Sequence, residues 1–423
     1  MNHFEYRNGE MFAEDVPVKQ IAKEVGTPAY VYSLATLKRH FHVFDQAFAK
    51  VPHIVCFSVK ANSNIALLRA FAREGSGFDI VSGGELFRAL KAGGDPQKIV
   101  FSGVGKKKEE IEYALQSGIL MFNVESEHEM VALNEIAGQV GQKAPISLRI
   151  NPDVDPKTHP YISTGMKKAK FGVDIARSVE SYKKAVSLPH LEVVGVDCHI
   201  GSQLTSVSPF VDALGRVREY LDRVLVGSLK KEGAQIRYLD LGGGLGISYK
   251  DEIPPQPEEY ANAIIGGLEG LNVTLILEPG RVIVGNAGIL VTEVQYIKET
   301  DEKKFVIVDG GMNDLIRPAL YGSYQAIQPV VHASREKIVA DIVGPICESG
   351  DFFAKDREIA RPQRGDLLAV MSAGAYGFTM ASNYNSHPKP PEILVDGHRY
   401  YVIRARESLD DLIRGEEIPA SLQ

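Results

Sequence analysis

Between about residues 29 and 279 the sequence repeats one unit, a short apolar run followed by a longer amphipathic stretch. The apolar runs are residues 54–59, 78–81, 99–101, 119–124, 146–150, 193–200, 236–241 and 273–277. Each is rich in Val, Ile, Leu or Phe and lacks strict alternation, which is how strands covered on both faces read. Stretches between them, such as 64–74 and 84–92, carry apolar residues at helical spacing. Roughly eight such units in about 250 residues is the arithmetic of a (β/α)8 barrel. A doubly wound open sheet is the alternative, because the strand pattern alone does not say whether a sheet closes.

After Arg281 the texture changes. Residues 282–298, 304–309, 324–331, 337–343, 366–372 and 400–406 read as strands without long intervening helices, and Gly and Pro punctuate them. The expected fold is therefore α/β: a TIM-like barrel over 28–278 followed by an antiparallel β domain over 279–423. Residues 1–27 are a candidate to pack on the second domain, and 388–391 read as a stiff linker.

The chain of 423 residues has the length for two domains. Lys plus Arg is 47 against Asp plus Glu 54, so the net charge is 47 − 54 = −7. That lacks the basic field a nucleic acid needs. Three scattered cysteines, Cys56, Cys198 and Cys347, form neither a disulfide framework nor a metal-type pair. Cys198 would point away from the neighbouring His199. The first residues lack a signal peptide's apolar stretch, and no run approaches the ~20 apolar residues of a membrane span. A soluble, cytoplasmic protein without metal, membrane or nucleic-acid partners is the expectation.

In a barrel of this kind chemistry sits at the C-terminal strand ends. The first run ends in Ser58-Val59-Lys60-Ala61-Asn62. Desolvation makes an amine there a competent Schiff-base nucleophile, although a lone lysine at a strand end more often snorkels to water. The seventh run leads into Asp240-Leu241-Gly242-Gly243-Gly244-Leu245-Gly246. Consecutive glycines let backbone N–H groups approach a phosphate, and equally make a flexible turn. Their spacing is not that of a dinucleotide fingerprint. The eighth ends in Glu278-Pro279-Gly280-Arg281. A carboxylate there is able to hold a protonated heteroaromatic nitrogen, or simply to pair with the arginine. In the sixth, His199 is placed to stack on a flat ring and Ser202 to bind phosphate, while a lone histidine is more often structural. Taken one at a time these bland readings win or tie. Taken together, an amine, a phosphate cradle, a ring partner and a pyridinium carboxylate are the parts of a pyridoxal phosphate site.

Over nearly its whole length the chain resembles the diaminopimelate decarboxylases. They belong to the fold-type III pyridoxal-phosphate enzymes, with ornithine and arginine decarboxylases and alanine racemase. The resemblance rests on 59–62 (VKAN), 78–85 (FDIVSGGE), 159–172 (HPYISTGMKKAKFG), 199–203 (HIGSQ), 240–246 (DLGGGLG), 278–281 (EPGR), 317–321 (RPALY), 344–351 (GPICESGD) and 373–378 (AGAYGF). It implies that Lys60 binds the cofactor covalently, that His199 stacks on its ring and that Glu278 pairs with the ring nitrogen. Ser202, Gly242, Gly243, Gly244, Pro279, Gly280 and Arg281 would hold the phosphate, with Tyr376 closing the site. Asp79, Glu85 and Arg149 would surround the lysine and ring.

The resemblance further implies that Arg281, Arg317 and Tyr321 grip the substrate's distal carboxylate. Cys347 would return the proton and Glu348 would touch substrate, both reaching across a homodimer interface, as Tyr376 does in part. The expected reaction is decarboxylation of meso-2,6-diaminopimelate to L-lysine and CO2. Racemases of this fold set an arginine against the ring nitrogen, and the glutamate here favours decarboxylation. Substrates ending in a lone ammonium, such as ornithine, would be repelled by a buried arginine. A non-enzymatic pyridoxal-phosphate carrier would share the lysine but lack the second domain with its Cys347-Glu348 pair. The lysine-rich segment 159–172 is a candidate lid.

Overall fold

The computed structural model describes residues 2–155, 158–159, 164, 170–227 and 235–423. The expected lid, 159–172, lies mostly outside the described residues. The chain divides into two units, Lys38–Ile283 and Met1–Leu37 together with Val284–Gln423.

In the unit spanning Lys38–Ile283, eight strands are β1 (His53–Ser58), β2 (Gly77–Ile80), β3 (Ile99–Phe101), β4 (Met121–Val124), β5 (Ala144–Asn151), β6 (Leu191–Asp197), β7 (Tyr238–Asp240) and β8 (Thr274–Leu277). Each pairs in parallel with the next. Strand β8 then returns to β1, with Leu275 opposite His53, so the sheet closes. Closure excludes the open-sheet alternative.

Side chains two residues apart on a strand share a face. Cys56, Val100, Met121, Val194 and Ile276 form one buried cluster inside the barrel. Two residues further along the strands, Ser58, Ser102, Asn123 and Glu278 replace these apolar groups with polar ones. The same alternation turns Phe57 outward, where its ring lies 4.4 Å from that of Phe71. Phe71 sits on the helix Ile65–Arg73, which buries Leu67, Leu68 and Phe71 and is capped by the Asn64 side chain accepting from Ala66 N–H. Ser82 and Ser126 side chains likewise cap the helices Gly83–Lys91 and Glu127–Gln139, accepting from Glu85 and Glu129 N–H. The barrel thus has an apolar floor and a polar upper layer.

The other unit is built on a mixed sheet. The long strand Gly288–Glu299 pairs antiparallel with Lys304–Val308, Leu367–Val370 and Ala29–Ser33. Two further pairings are parallel: Lys304–Val308 with Lys337–Val343, and Ala29–Ser33 with Glu392–Asp396. The N-terminal strands Phe4–Arg7 and Glu10–Ala13 form a hairpin. Phe4, Met11, Val16 and Ile21 share a core with Val31, Ile289, Val291 and Ile393. Among the described residues no helix is long and apolar enough to cross a membrane.

Candidate active site

The polar upper layer of the barrel is one connected network. Lys60, on the short turn following β1, is half-buried and ion-paired with Asp79 at the end of β2. That partner is what the strand-end reading of Lys60 left out: the amine is held by a carboxylate rather than left to desolvation. Ser58 Oγ lies 2.8 Å from Asp79 Oδ2 and 2.9 Å from the Glu278 carbonyl oxygen. Ser102 Oγ lies 3.3 Å from Glu278 Oε1. Asp79, Asp197, Asp240 and Glu278 are all buried. Burial pushes the Glu278 carboxyl well above its usual range, Asp240 and Asp79 push it further, and Lys60 opposes them. Burial likewise raises Asp240 to about 6. Glu85, accepting from Val81 N–H at 2.8 Å, is pushed up to about 7 by burial, with Lys60 opposing.

Arg149 on β5 is buried and pairs with Glu125 at 2.8 Å; it also donates to the His199 carbonyl at 3.2 Å. The His199 ring accepts from Gly243 N–H through Nδ1 at 3.1 Å. Burial first, then Arg149 and Lys60, hold that imidazole well below its ordinary pKa. His199 is therefore neutral, with its proton on Nε2.

The glycine run is dictated by space. A Cβ on Gly242 would lie 2.3 Å from His199 Nδ1, and one on Gly243 would lie 2.2 Å from the Glu278 carbonyl oxygen. Gly244 adds a φ of +116°. Gly242 N–H donates to Asp240 Oδ1 at 2.8 Å, so two of the three glycine N–H groups are engaged inside the protein. Glu278 N–H donates to the Gly242 carbonyl at 2.8 Å, and Ser58 N–H to the Pro279 carbonyl at 3.1 Å. Glu278 and Pro279 are thereby stitched between the turn after β7 and the end of β1. Arg281 is buried, donating to Tyr249 Oη at 2.7 Å and to Ser202 Oγ at 3.1 Å.

Five expected site residues belong to the second unit. Arg317 opens the short helix Arg317–Tyr321 and is buried, its guanidinium 5.8 Å from the Tyr321 ring centre. Burial rules out the ordinary surface ion pair as its reading. Cys347 is exposed, so it is not a packed core thiol; its N–H donates to Asn385 Oδ1 at 2.9 Å. Asp351 fastens this turn by accepting from Ile346 N–H at 2.7 Å and Met312 N–H at 2.7 Å. Glu348 hydrogen-bonds Tyr384 and raises that phenol's pKa. Tyr376 takes a φ of +54°, in the left-handed region that non-glycine residues adopt uncommonly.

Residues 34–285 match the family described as pyridoxal-dependent decarboxylase, pyridoxal binding domain. The chain is 56% identical over 414 residues to the diaminopimelate decarboxylase of Vibrio cholerae, covering 97% of this chain and 98% of that protein. It is 53% identical over 418 residues to that of Pseudomonas aeruginosa, covering 99% of each. The crystal structure of diaminopimelate decarboxylase from M. jannaschii in co-complex with L-lysine superposes with a TM-score of 0.94 at 40% identity, covering 100% of both chains. That from Helicobacter pylori complexed with L-lysine gives 0.89 at 44% identity, covering 94% of this chain and 98% of the other.

The chain belongs to the diaminopimelate decarboxylase family. Diaminopimelate decarboxylases of this kind are pyridoxal-dependent, and the barrel's residues fit that cofactor. Asp79, Asp197, Asp240, Glu278 and Glu125 are five buried acids; among the described residues Lys60 pairs with Asp79 and Arg149 with Glu125 and Asp197, and a protonated ring nitrogen suits the acids that remain. Asp79 Oδ1 and Asp197 Oδ1 are buried without a hydrogen-bond partner among the described residues. The glycine run leaves a cradle that any Cβ would fill.

Sequence reasoning missed Ser58, Ser102, Asn123, Ser147 and Asp240 as members of this buried polar network, and Tyr249 as the partner of Arg281. The available signal was a polar residue two places beyond an apolar one on consecutive runs, repeated from strand to strand.

Proposed function

We infer that this chain catalyses the pyridoxal-phosphate-dependent decarboxylation of meso-2,6-diaminopimelate, releasing CO2 and L-lysine. The observation that carries this reading is the single hydrogen-bonded network joining Lys60, Asp79, Ser58 and Glu278 at one barrel mouth. When bound, the cofactor supplies an aldehyde that joins an amine and a protonated ring that takes up the electron pair left by departing CO2.

The chain's own residues supply the rest. Lys60 Nζ is the covalent anchor, and Asp79 holds that amine in place until it reacts. Glu278 accepts the proton-bearing ring nitrogen, stabilising positive charge where electron density must flow. Neutral His199 offers a flat face, its ring orientation fixed by Gly243 N–H. Ser202, Gly244 and the backbone about Gly280 and Arg281 bind phosphate; Gly242 and Gly243 shape the cradle, their own N–H groups being engaged. Tyr376 closes over this end.

Arg317 and Tyr321, with Arg281, grip the distal carboxylate of the substrate. A planar guanidinium binds a carboxylate in two-point fashion and fixes the substrate's rotation. Arg317→Ala is therefore expected to lower kcat/KM for diaminopimelate on the order of 10²-fold. Steady-state kinetics on a substrate panel check this, and unchanged turnover removes the clamp.

Cys347 returns a proton to Cα, and Glu348 contacts the substrate. Both are exposed in the single chain, as residues that complete a neighbouring subunit's site must be. The working form is accordingly a homodimer, and three free thiols suit the cytoplasm. Cys347→Ala should lower kcat by about 10²–10⁴-fold while cofactor absorbance is retained. Full turnover by that variant eliminates the donor role.

The unit Lys38–Ile283, rather than 28–278, carries the residues proposed to hold the cofactor, and Arg317, Tyr321, Cys347, Glu348 and Tyr376 belong to the other unit. Mixing purified protein with cofactor and meso-diaminopimelate, and measuring CO2 and lysine, tests the function. An intact cofactor band with no CO2 release would instead identify a carrier of the vitamin.

A further inference from the structure

We propose that Asn385 is a positioning residue for this reaction: its side-chain oxygen holds the main chain of Cys347 and thereby fixes where the Cys347 thiol delivers its proton. Cys347 lies in the turn joining two antiparallel strands, Lys337–Val343 and Phe352–Ala360. The base of that turn is fastened. Buried Asp351 accepts from Ile346 N–H and Met312 N–H, and its own N–H donates to the Glu348 carbonyl at 3.0 Å. Ile346 is buried, while Cys347, Glu348 and Ser349 are exposed at the tip. There Cys347 N–H donates to Asn385 Oδ1 at 2.9 Å, a bond between residues 38 apart in sequence.

The segment carrying Asn385 is shaped and anchored for this contact. Asn385 takes φ +53° and ψ +27°, and Ser386 follows at φ +57°. Residues other than glycine adopt this region uncommonly, asparagine more readily than most, and they persist there where their surroundings enforce it. Ser382 N–H donates to the Asn313 carbonyl at 2.8 Å. Asn383 Nδ2 and Lys389 N–H both donate to Glu407 Oε2, at 2.6 Å and 2.9 Å. The Cys347 turn is tied to Met312 and the Asn385 segment to Asn313, so both hang from one stretch of main chain. Adjacent Tyr384 hydrogen-bonds Glu348, so neighbouring residues of one segment hold both members of the Cys347-Glu348 pair. The inference rests on the reading of Cys347 as proton donor. In that step the S–H bond breaks, a C–H bond forms at the carbon that lost CO2, and water reprotonates the thiolate. A donor held on one face gives one configuration at that carbon, and a loosened donor lets water compete.

Two variants test it: Asn385→Gly, which removes the acceptor and keeps the left-handed backbone, and Asn385→Asp, which restores an acceptor of the same shape. In cofactor-free protein labelled with 15N-cysteine, the Cys347 amide of Asn385→Gly should exchange its hydrogen about 2- to 10-fold faster, the size of one hydrogen bond. In the loaded enzyme, turnover in D2O should place one deuterium on the decarboxylated carbon, in a single configuration for wild type and in a mixture for Asn385→Gly. The kcat of Asn385→Gly should fall about 10- to 100-fold with KM within about twofold, as for a displaced catalytic group. Asn385→Asp should recover both the slow exchange and the single configuration. Unchanged exchange, a single configuration from Asn385→Gly, or no recovery in Asn385→Asp overturns the proposal. Cys347→Ala, run beside them, separates it from the reading beneath it. A mixture from Cys347→Ala with a single configuration from Asn385→Gly sinks the positioning role alone. Full turnover and a single configuration from Cys347→Ala sink the donor role and leave the exchange comparison standing.

Discussion

Lys60→Ala should lower decarboxylation on the order of 10⁴-fold or more, and borohydride should no longer fix the cofactor to the protein. Covalent catalysis splits one difficult step into two easier ones, and no other lysine in the described polar layer is placed to replace this amine. Lys106, the other buried lysine near that layer, is held by Gly103, Asn123 and Glu129. The substitution also leaves Asp79 buried without its cation. An uncompensated carboxylate takes up a proton or costs a few kcal/mol, so the cofactor-free variant should melt below the wild type. Peptide mapping after borohydride reduction is the decisive measurement. A label on any residue other than Lys60 removes the anchor on which the mechanism stands.

Glu278→Gln has effects of opposite sign on activity and stability. The amide keeps the volume of the acid but cannot pair with a ring cation, so kcat should fall about 10²–10³-fold with little change in KM. In cofactor-free protein the same change relieves repulsion, because Glu278 is buried among Asp240, Asp79 and Asp197. A carboxyl whose folded pKa is raised weighs against folding above its unfolded value of about 4.3, and stops doing so below it. The Gln variant should therefore be more stable than wild type at neutral pH, with the gap closing as pH falls through that unfolded value. Thermal melts at two pH values, beside steady-state kinetics, check both halves. A variant that loses stability at neutral pH would show that Glu278 is a structural partner in the free protein.

Much of this was legible in the one-dimensional chain, and for stated reasons. Short apolar runs without alternation mark strands covered on both faces, and their spacing makes a barrel. Lys60, Glu278, the glycine run and His199 stood out because each ends such a run. Arg317 and Cys347 stood out only through their motifs. Composition alone gave them no role, and burial of the one and exposure of the other emerged from packing.

The rest depended on closure in three dimensions. Asn123 meets Asp240 and Glu278 across sequence separations of 117 and 155 residues. No local pattern reports which strand lies across the barrel from which. Tyr249 reaches Arg281 across 32 residues for the same reason. Strand Ala29–Ser33 read as the start of the barrel pattern, yet it joins the mixed sheet because two partners, Gly288–Glu299 and Glu392–Asp396, satisfy its backbone on both edges. The amino-acid order determined the strand–helix rhythm and the reactive groups at the strand ends, since both follow from side-chain polarity along one element. Which polar groups face one another, and therefore how Glu278 and His199 are charged, was decided by the tertiary structure. Electrostatic energies in a buried site depend on distances that only the closed barrel creates.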